Sequence, residues 1–213
     1  MGCQPTDIGE VHMIILELFF GNGSFSRAAL DLGHEVVGIG IDPCPKDIEE
    51  RVDYYERDIL KFPYKVLRHG EYDYVWASPP CETYSMVAIQ HGLRDKCLAV
   101  TEKARLHDSY VLRALDIIAY LEPKYYTIEN PRACLRKQPF MEQIPRVTVA
   151  YCQYGGDRMK PTDLFGDLPS EFIPKMCKNG SPCHIPAPRG SKNNQDASVP
   201  YDLCRELLEL AEF

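Results

Sequence analysis

Short apolar runs that alternate with helix-like segments are the feature that most limits the folds open to this chain. Each run ends in turn-forming residues, and the runs are Met13–Phe19, Glu35–Ile41, Tyr54–Ile59, Tyr72–Ala77, Tyr125–Ile128 and Arg146–Tyr154. Apolar residues at helical spacing lie within Ser24–Leu32 and Thr101–Leu121. Strands that alternate with helices form parallel sheets covered by helices. The sequence therefore predicts an α/β fold, a Rossmann-like and mostly parallel twisted sheet with helices on both faces.

The length and the cysteine content limit the class of protein. A chain of 213 residues fits one globular domain with a small appendage. The nine cysteines are odd in number and irregularly spaced, which predicts reduced thiols in the cytoplasm or nucleus and argues against secretion. The longest apolar run near the start is interrupted by Glu17 and is too short to cross a membrane.

A change of composition divides the chain. Between Gly155 and Ala197, Pro, Gly, Asn and Lys are frequent and periodicity is weak. A last helix follows, with Ser198 as its predicted N-cap and Pro200 in its first turn. We therefore expect a main domain over residues 1–166, a short insertion over 167–196 and a closing helix within 197–213.

Charge is unevenly distributed along the chain. The formal net charge is −7, yet residues 131–192 carry ten Lys or Arg and five Asp or Glu, which leaves −12 on the remainder. An acidic body with a basic arm can hold a phosphate backbone on one face. A solvated loop region would give the same count.

Two turns after predicted strands suggest a nucleoside cofactor. The first contains Gly21 and Gly23, which permit a tight turn and close approach of a ligand. Asp42 ends the next strand, where a carboxylate can accept the hydroxyls of a ribose. Asp58 and Ile59 follow the third strand and are candidates for contact with an adenine, although a simple turn cap would explain the aspartate equally well.

Two further strand ends carry reactive groups. Cys81 follows Pro79 and Pro80 on a stiff loop, which presents it as a nucleophile, although a structural cysteine is the common alternative. Glu129 and Asn130 end a neighbouring strand, where the carboxyl could act as a general acid and the amide could tie the loop.

These motifs, in this order, resemble the DNA cytosine-5 methyltransferase family. The glycine turn resembles its cofactor motif, Pro79–Cys81 its Pro-Cys motif, Glu129-Asn130 its Glu-Asn motif, Tyr154–Lys160 its basic motif and Ser198–Pro200 its closing cofactor motif. The resemblance implies the class I fold of S-adenosylmethionine-dependent methyltransferases. It also implies duplex DNA as substrate, with a cytosine flipped out of the stack.

The resemblance implies a role for each motif. Cys81 would add to carbon 6 of cytosine, Glu129 would bind N3, and Arg158, with Lys160 as the neighbouring choice, would stabilise the flipped base. The predicted catalytic residues are Cys81, Glu129, Asn130 and Arg158. The predicted S-adenosylmethionine contacts are Phe19, Gly21, Gly23, Asp42, Asp58, Ile59, Pro80, Ser198 and Val199.

The chain departs from the family pattern in four ways. Glu82 stands where glutamine is usual, Pro131 stands where valine is usual, and the basic motif is shortened. The long target-recognition region is replaced by residues 167–196, which predicts relaxed specificity or help from a partner or an oligomer. RNA or a free nucleotide is an alternative substrate, and a non-catalytic homologue that binds nucleic acid or a partner is another alternative.

The short insertion contains Cys177, Cys183 and His184. Thiolates and imidazole are typical zinc ligands, and Cys152 or Cys44 could complete such a site. Unpaired loop thiols are the alternative to zinc.

Overall fold

The computed structural model describes residues 11–184 and 198–212. Its strands are β1 (Ile14–Leu18), β2 (Glu35–Gly40), β3 (Asp53–Glu56), β4 (Tyr74–Ala77), β5 (Arg94–Asp95), β6 (Leu98–Ala99), β7 (Tyr125–Pro131), β8 (Arg146–Ala150) and β9 (Pro161–Phe165). Its α-helices are α1 (Ser24–Asp31), α2 (Met86–Gln90), α3 (Glu102–Leu121) and α4 (Tyr201–Ala211). Residues 185–197, which include much of the predicted insertion, lie outside the described part.

Seven strands form one sheet in the order β3-β2-β1-β4-β7-β9-β8. The strands run parallel except β9, which is antiparallel to both β7 and β8. Strands β5 and β6 form a separate hairpin. Strands β1 to β3 are added toward one edge of the sheet and the strands from β4 onward toward the other, so the direction of winding reverses between β1 and β4. Open α/β sheets bind their ligands at such a reversal. The predicted α/β fold with a mostly parallel sheet is confirmed.

Helices cover both faces of this sheet because side chains along each strand point alternately to opposite faces. Ile15 of β1 packs with residues of α1 and α4, whereas Leu16 and Leu18 pack with residues of α3. None of the helices in the described ranges is long and apolar enough to cross a membrane.

The last helix begins later than the sequence predicts. Helix α4 starts at Tyr201, and Pro200 is its capping residue, with its carbonyl accepting from the amides of Leu203 and Cys204. Ser198 is therefore not the N-cap, and that prediction is wrong. Its hydroxyl instead accepts a hydrogen bond of 2.7 Å from Asn22 Nδ2, which ties the chain before α4 to the turn after β1.

Strand β9 was not predicted, because the sequence showed weak periodicity beyond Gly155. Residues Thr162 to Phe165 are buried, so the strand lacks the alternation of polar and apolar residues that marks a half-exposed strand. Strand β9 pairs with β7 from Ile128 to Pro131. As a result, Glu129 and Asn130 lie within a paired strand and are held more rigidly than a loop would hold them.

One cysteine pair is oxidised, so the prediction that all cysteines are reduced thiols is wrong. Cys97 and Cys134 form a disulfide with their Cα atoms 5.0 Å apart. The β5–β6 hairpin packs against the segment after β7, where Gln138 Nε2 donates to both cysteine carbonyls and brings the two sulfurs together. The other described cysteines are Cys44, Cys81, Cys152, Cys177, Cys183 and Cys204, all of them free.

Candidate active site

An apolar cavity of about 200 Å³ lies at the carboxyl ends of strands β1 to β4. Six of the nine predicted cofactor residues line it, namely Phe19, Gly21, Asp42, Asp58, Ile59 and Pro80. Tyr110 of α3 also lines it and makes an edge-to-face contact with Phe19 at 6.0 Å between ring centroids. Sequence reasoning missed Tyr110, because on a helix it is indistinguishable from a core residue.

The turn after β1 shapes the entrance to this cavity. Phe19, Gly21 and Gly23 all have positive φ angles, of 60°, 51° and 65°. A Cβ atom on Gly23 would lie 2.8 Å from the Phe20 ring, so this glycine is required for packing. Gly23 does not line the apolar cavity. Gly21 faces the apolar cavity and leaves its backbone open to a ligand.

Asp42 and Asp58 differ in their own contacts. Asp42 is exposed at the end of β2, and its backbone carbonyl accepts from the Tyr54 hydroxyl. Asp58 Oδ1 accepts from the amide of Leu60 at 2.9 Å, which is the turn-capping role that the sequence also allowed. Both aspartates line the cavity, and Asp42 has the more accessible carboxylate.

A second, more polar cavity of about 460 Å³ adjoins the same β1 turn. Ser198 and Val199 line this polar cavity and not the apolar one. Arg158, Lys160 and Tyr151 also line this cavity. The structure thus separates the predicted closing motif from the other predicted cofactor residues and places it beside the basic motif.

Cys81 lies on a braced loop after β4. The Trp76 indole donates to Ser78 Oγ at 2.9 Å, and Asn130 Nδ2 donates to the Pro79 carbonyl at 3.1 Å. Cys81 itself is half-buried. The Asn130 amide oxygen is buried and meets no donor within the described part of the chain, so a ligand N–H there would be stabilised.

Arg94 holds the cysteine loop in place through contacts with Thr83 and Tyr84. Its buried guanidinium donates to the Thr83 carbonyl at 2.8 Å and to Asp108 at 2.6 Å, and it lies over the Tyr84 ring at 4.2 Å. The Tyr84 hydroxyl donates to the same Asp108 at 2.7 Å. Sequence reasoning missed this network, because nothing in the local pattern around Arg94 marks a buried charge.

Glu129 lies on the strand adjacent to the cysteine loop. Strands β4 and β7 pair at Ala77 and Ile128, which brings the residues just beyond into proximity. Glu129 is buried, and its Oε1 accepts from the Tyr151 hydroxyl at 2.7 Å. The ammonium of Lys160 lies over the Tyr151 ring at 4.6 Å, so a cation stands beside this buried acid.

These neighbours change the acidity of Cys81. Burial raises the pKa of the Cys81 thiol above its ordinary value, and the negative charge of Glu129 raises this pKa further. The ammonium of Lys160 acts in the opposite direction and lowers the pKa. The cysteine, the glutamate and the lysine therefore form one electrostatic unit.

Arg158 is engaged by its neighbour in the chain. Its guanidinium makes two hydrogen bonds to Asp157, at 2.9 and 3.0 Å, while it lines the polar cavity. Lys160 lines the same cavity and lowers the pKa of the Cys81 thiol. Tyr151 is the residue of this group that sequence reasoning missed.

The Rossmann-like sheet, with an apolar cavity at its switch point, matches the fold of methyltransferases, and it places a cysteine beside a buried carboxylate. The chain is 34% identical over 178 residues to the "Probable DNA (cytosine-5)-methyltransferase" of Frog virus 3 (isolate Goorha), and the match spans 80% of this chain and 78% of that protein. The chain belongs to the DNA (cytosine-5)-methyltransferase family.

Solved structures agree with this fold. The chain is similar to the S. pombe Dnmt2 methyltransferase, with a TM-score of 0.52 and 15% identity over 76% of this chain and 51% of that one. It is similar to a mutant of Spodoptera frugiperda DNMT2, with a TM-score of 0.53 and 15% identity over 82% and 57% of the two chains. The chain thus spans little more than half the length of these solved proteins. No protein-family model matches the chain.

Proposed function

We propose that this protein transfers a methyl group to carbon 5 of cytosine in DNA, with Cys81 as the attacking nucleophile. The observation that carries the proposal is the joining of Cys81 and Glu129 at the ends of adjacent strands, with Asn130 bound to the Pro79 carbonyl between them. The viral relative named as a DNA (cytosine-5)-methyltransferase supports DNA as the substrate.

The apolar cavity fits S-adenosylmethionine by its chemistry. Phe19, Ile59 and Tyr110 give it apolar and aromatic walls suited to an adenine, and Asp42 offers an exposed carboxylate for the ribose hydroxyls. Pro80 joins the cavity to the cysteine loop, so a ligand in the cavity would extend toward Cys81. When bound, the cofactor would supply the methyl group to carbon 5 and would leave as the thioether S-adenosylhomocysteine.

The side chains of this site can make carbon 5 of cytosine nucleophilic. Cys81, as the thiolate, forms a bond to carbon 6, while Glu129 holds a proton at N3 and so favours the electron-rich enamine. After carbon 5 gains the methyl group, it loses its proton to a base, the bond from carbon 6 to sulfur breaks, and the thiolate is regenerated.

Tyr151 and Lys160 assist this chemistry by position. The Tyr151 hydroxyl holds the Glu129 carboxyl in one orientation, because it donates to Oε1. Lys160 lowers the pKa of Cys81 and lines the polar cavity, where an extruded base and its phosphates would meet positive charge. Arg158 contributes to the same wall.

The short segment 167–196 and the net charge of −7 keep RNA or a free nucleotide as the second candidate substrate. The segment is too short for a full recognition domain, so we expect a short target sequence, relaxed specificity or a specificity partner. Part of the basic arm is also neutralised within the fold, since Arg136 pairs with Asp163 and Lys175 pairs with Glu206.

The test is the transfer of labelled methyl from S-adenosylmethionine to duplex DNA, single-stranded DNA, RNA and dCMP. We expect label on carbon 5 of cytosine in duplex DNA. We also expect a covalent complex with duplex DNA that carries 5-fluorocytosine, because fluorine blocks the elimination that would free Cys81.

The matched control is Cys44→Ala, which changes another half-buried free cysteine. Cys81→Ala should abolish both the label and the covalent complex, and Cys44→Ala should keep both. Label that persists in Cys81→Ala would show that Cys81 is not the nucleophile. Label found only on RNA or dCMP would show that DNA is not the substrate.

A further inference from the structure

Three cysteines from distant parts of the chain meet beside the end of β8. The Sγ atoms of Cys152, Cys177 and Cys183 all lie within 4.8 Å of one another. Cys152 and Cys177 are buried and Cys183 is half-buried. His184 Nδ1 lies 3.3 Å from the Cys177 sulfur, which places an imidazole at the edge of this thiol cluster.

The cluster has the composition of a structural zinc site. Structural zinc is held by four ligands in a tetrahedron, commonly thiolates with one imidazole. With metal–sulfur bonds of about 2.3 Å, the sulfur atoms of such a site are about 3.8 Å apart. The three sulfurs lie within 4.8 Å of one another, close to this spacing, and His184 Nδ1, at 3.3 Å from the Cys177 sulfur, is the adjacent nitrogen donor. Cys44, the other donor that the sequence offered, lies beside Arg27 and Glu49 and does not join the group.

Three of these ligands, Cys177, Cys183 and His184, lie on a segment without regular secondary structure. From residue 167 to residue 184 the chain forms turns and bends without a helix or strand. It is attached near β8 by the Ala150 amide, which donates to the Lys175 carbonyl at 2.9 Å, and by Gln153 Nε2, which donates to the Met176 carbonyl at 2.8 Å. A turn follows, in which the Ser181 amide donates to the Lys178 carbonyl at 3.0 Å.

We propose that Cys152, Cys177, Cys183 and His184 bind one structural zinc ion that fastens residues 167–184 to the end of β8. A metal that binds the folded arrangement and not the unfolded chain stabilises that arrangement directly. Cys152 lies in the turn Tyr151–Tyr154, directly after the tyrosine whose hydroxyl holds Glu129. The metal therefore holds residues 167–184 in a fixed position relative to the candidate active site.

The test measures the metal itself. The full chain is purified under reducing conditions without added chelator, and its zinc content is measured by inductively coupled plasma mass spectrometry. We expect about one zinc ion per chain. Cobalt loaded in place of zinc should give thiolate-to-cobalt charge-transfer absorption and the strong visible bands of a tetrahedral ion.

Single variants assign the ligands. Cys152→Ser, Cys177→Ser and Cys183→Ser should each lower the zinc content, and His184→Ala should weaken retention against a competing chelator. Cys44→Ser, which changes a free cysteine outside the cluster, should keep the zinc content of the wild type. Circular dichroism shows whether each variant is folded, so that loss of zinc is separated from loss of the fold.

Limited proteolysis tests the structural role. Removal of zinc by a chelator should increase cleavage within residues 167–184 and leave the strands of the sheet protected. Zinc no higher than that in a Cys177→Ser/Cys183→Ser double variant, or a disulfide within the cluster by mass spectrometry, would overturn the proposal. None of these measurements uses methyl transfer, so the zinc site and the proposed enzymatic function can fail separately.

Discussion

The two halves of the sheet differ in strand direction and in the side chains that they bury. The half formed by β3, β2, β1 and β4 is parallel, and its cavity is shaped largely by turns, glycines and apolar walls. The half formed by β7, β9 and β8 is antiparallel and contains buried polar side chains, including Glu129, Asn130 and Asp163. The first half is suited to hold a cofactor through its backbone, and the second half is suited to chemistry through its side chains.

From this difference we expect the two halves to differ in their tolerance to substitution. A turn can be built from many sequences if glycine stands where φ is positive, as at Gly21 and Gly23. A buried charge needs a particular partner, because an unpaired one carries the full cost of lost solvation. Substitutions in the second half should therefore have larger effects than those in the first.

Among substitutions in the second half of the sheet, Glu129→Gln should produce the largest effect on catalysis. The change keeps the size of the side chain and an oxygen for the Tyr151 hydroxyl, but it removes the acid. We expect methyl transfer to fall by about 10²- to 10⁴-fold while S-adenosylmethionine affinity is unchanged. Single-turnover rates and calorimetry measure the two quantities, and an equal loss in both would place Glu129 in cofactor binding.

Asp163→Ala should be the most destabilising change. Asp163 is buried and accepts from Arg136 Nε at 2.7 Å and from Thr148 Oγ1 at 2.8 Å, so its removal strands a largely buried guanidinium. We expect the free energy of unfolding to fall by about 3–5 kcal/mol in urea denaturation. Asp157→Ala, which breaks the solvent-exposed pair with Arg158, should cost much less, because solvent screens an exposed ion pair. Similar losses of unfolding free energy in the two variants would contradict the expected difference between a buried and an exposed ion pair.

Glu17→Gln tests the one buried acid of the first half. Burial raises the pKa of Glu17 to about 7, although Ser26 donates to it from its amide and hydroxyl. Since the folded pKa lies above the unfolded value, stability is full below about pH 4.5 and is lost as pH rises through 7. The glutamine variant should gain up to about 3 kcal/mol over the wild type at pH 8 and little at pH 5. Glu56→Gln, at an exposed site, should show no such pH dependence.

Asp42→Ala should weaken cofactor binding more modestly. Loss of hydrogen bonds to a carboxylate costs about 1.5–3 kcal/mol, which corresponds to about a 10- to 100-fold rise in Kd for S-adenosylmethionine. Asp58→Ala should have a smaller effect, because that carboxylate already accepts from the Leu60 amide. Equal effects of the two variants by calorimetry would show that the accessible carboxylate is not the ribose ligand.

The smallest expected effect is on the acidity of Cys81. Glu129→Gln should lower the pKa of the thiol, because a neighbouring negative charge is removed, and Lys160→Met should raise it. The pH dependence of alkylation, followed by mass spectrometry on the Cys81 peptide, measures both shifts. Shifts in the same direction would show that the two charges do not act on the thiol as the structure implies.

Particular residues show which parts of the candidate site can be predicted from the sequence pattern. Gly21, Asp42 and Pro80 were predicted to contact the cofactor because turns after apolar strands are local features, and the structure gathers them around one cavity. Tyr151, Arg94 and strand β9 were missed, because each is defined by partners far away in the chain. The disulfide of Cys97 and Cys134 was missed for the same reason.

The sequence by itself determined the alternation of strands and helices, the turns that end them and the order of the reactive residues, since hydrophobic period and turn chemistry are local properties. Tertiary structure alone decided that Ser198 binds Asn22 rather than capping a helix, that Tyr151 holds Glu129, and that Cys152 meets Cys177 and Cys183. These contacts join residues remote in sequence, and their free energy depends on burial that exists once the chain has folded.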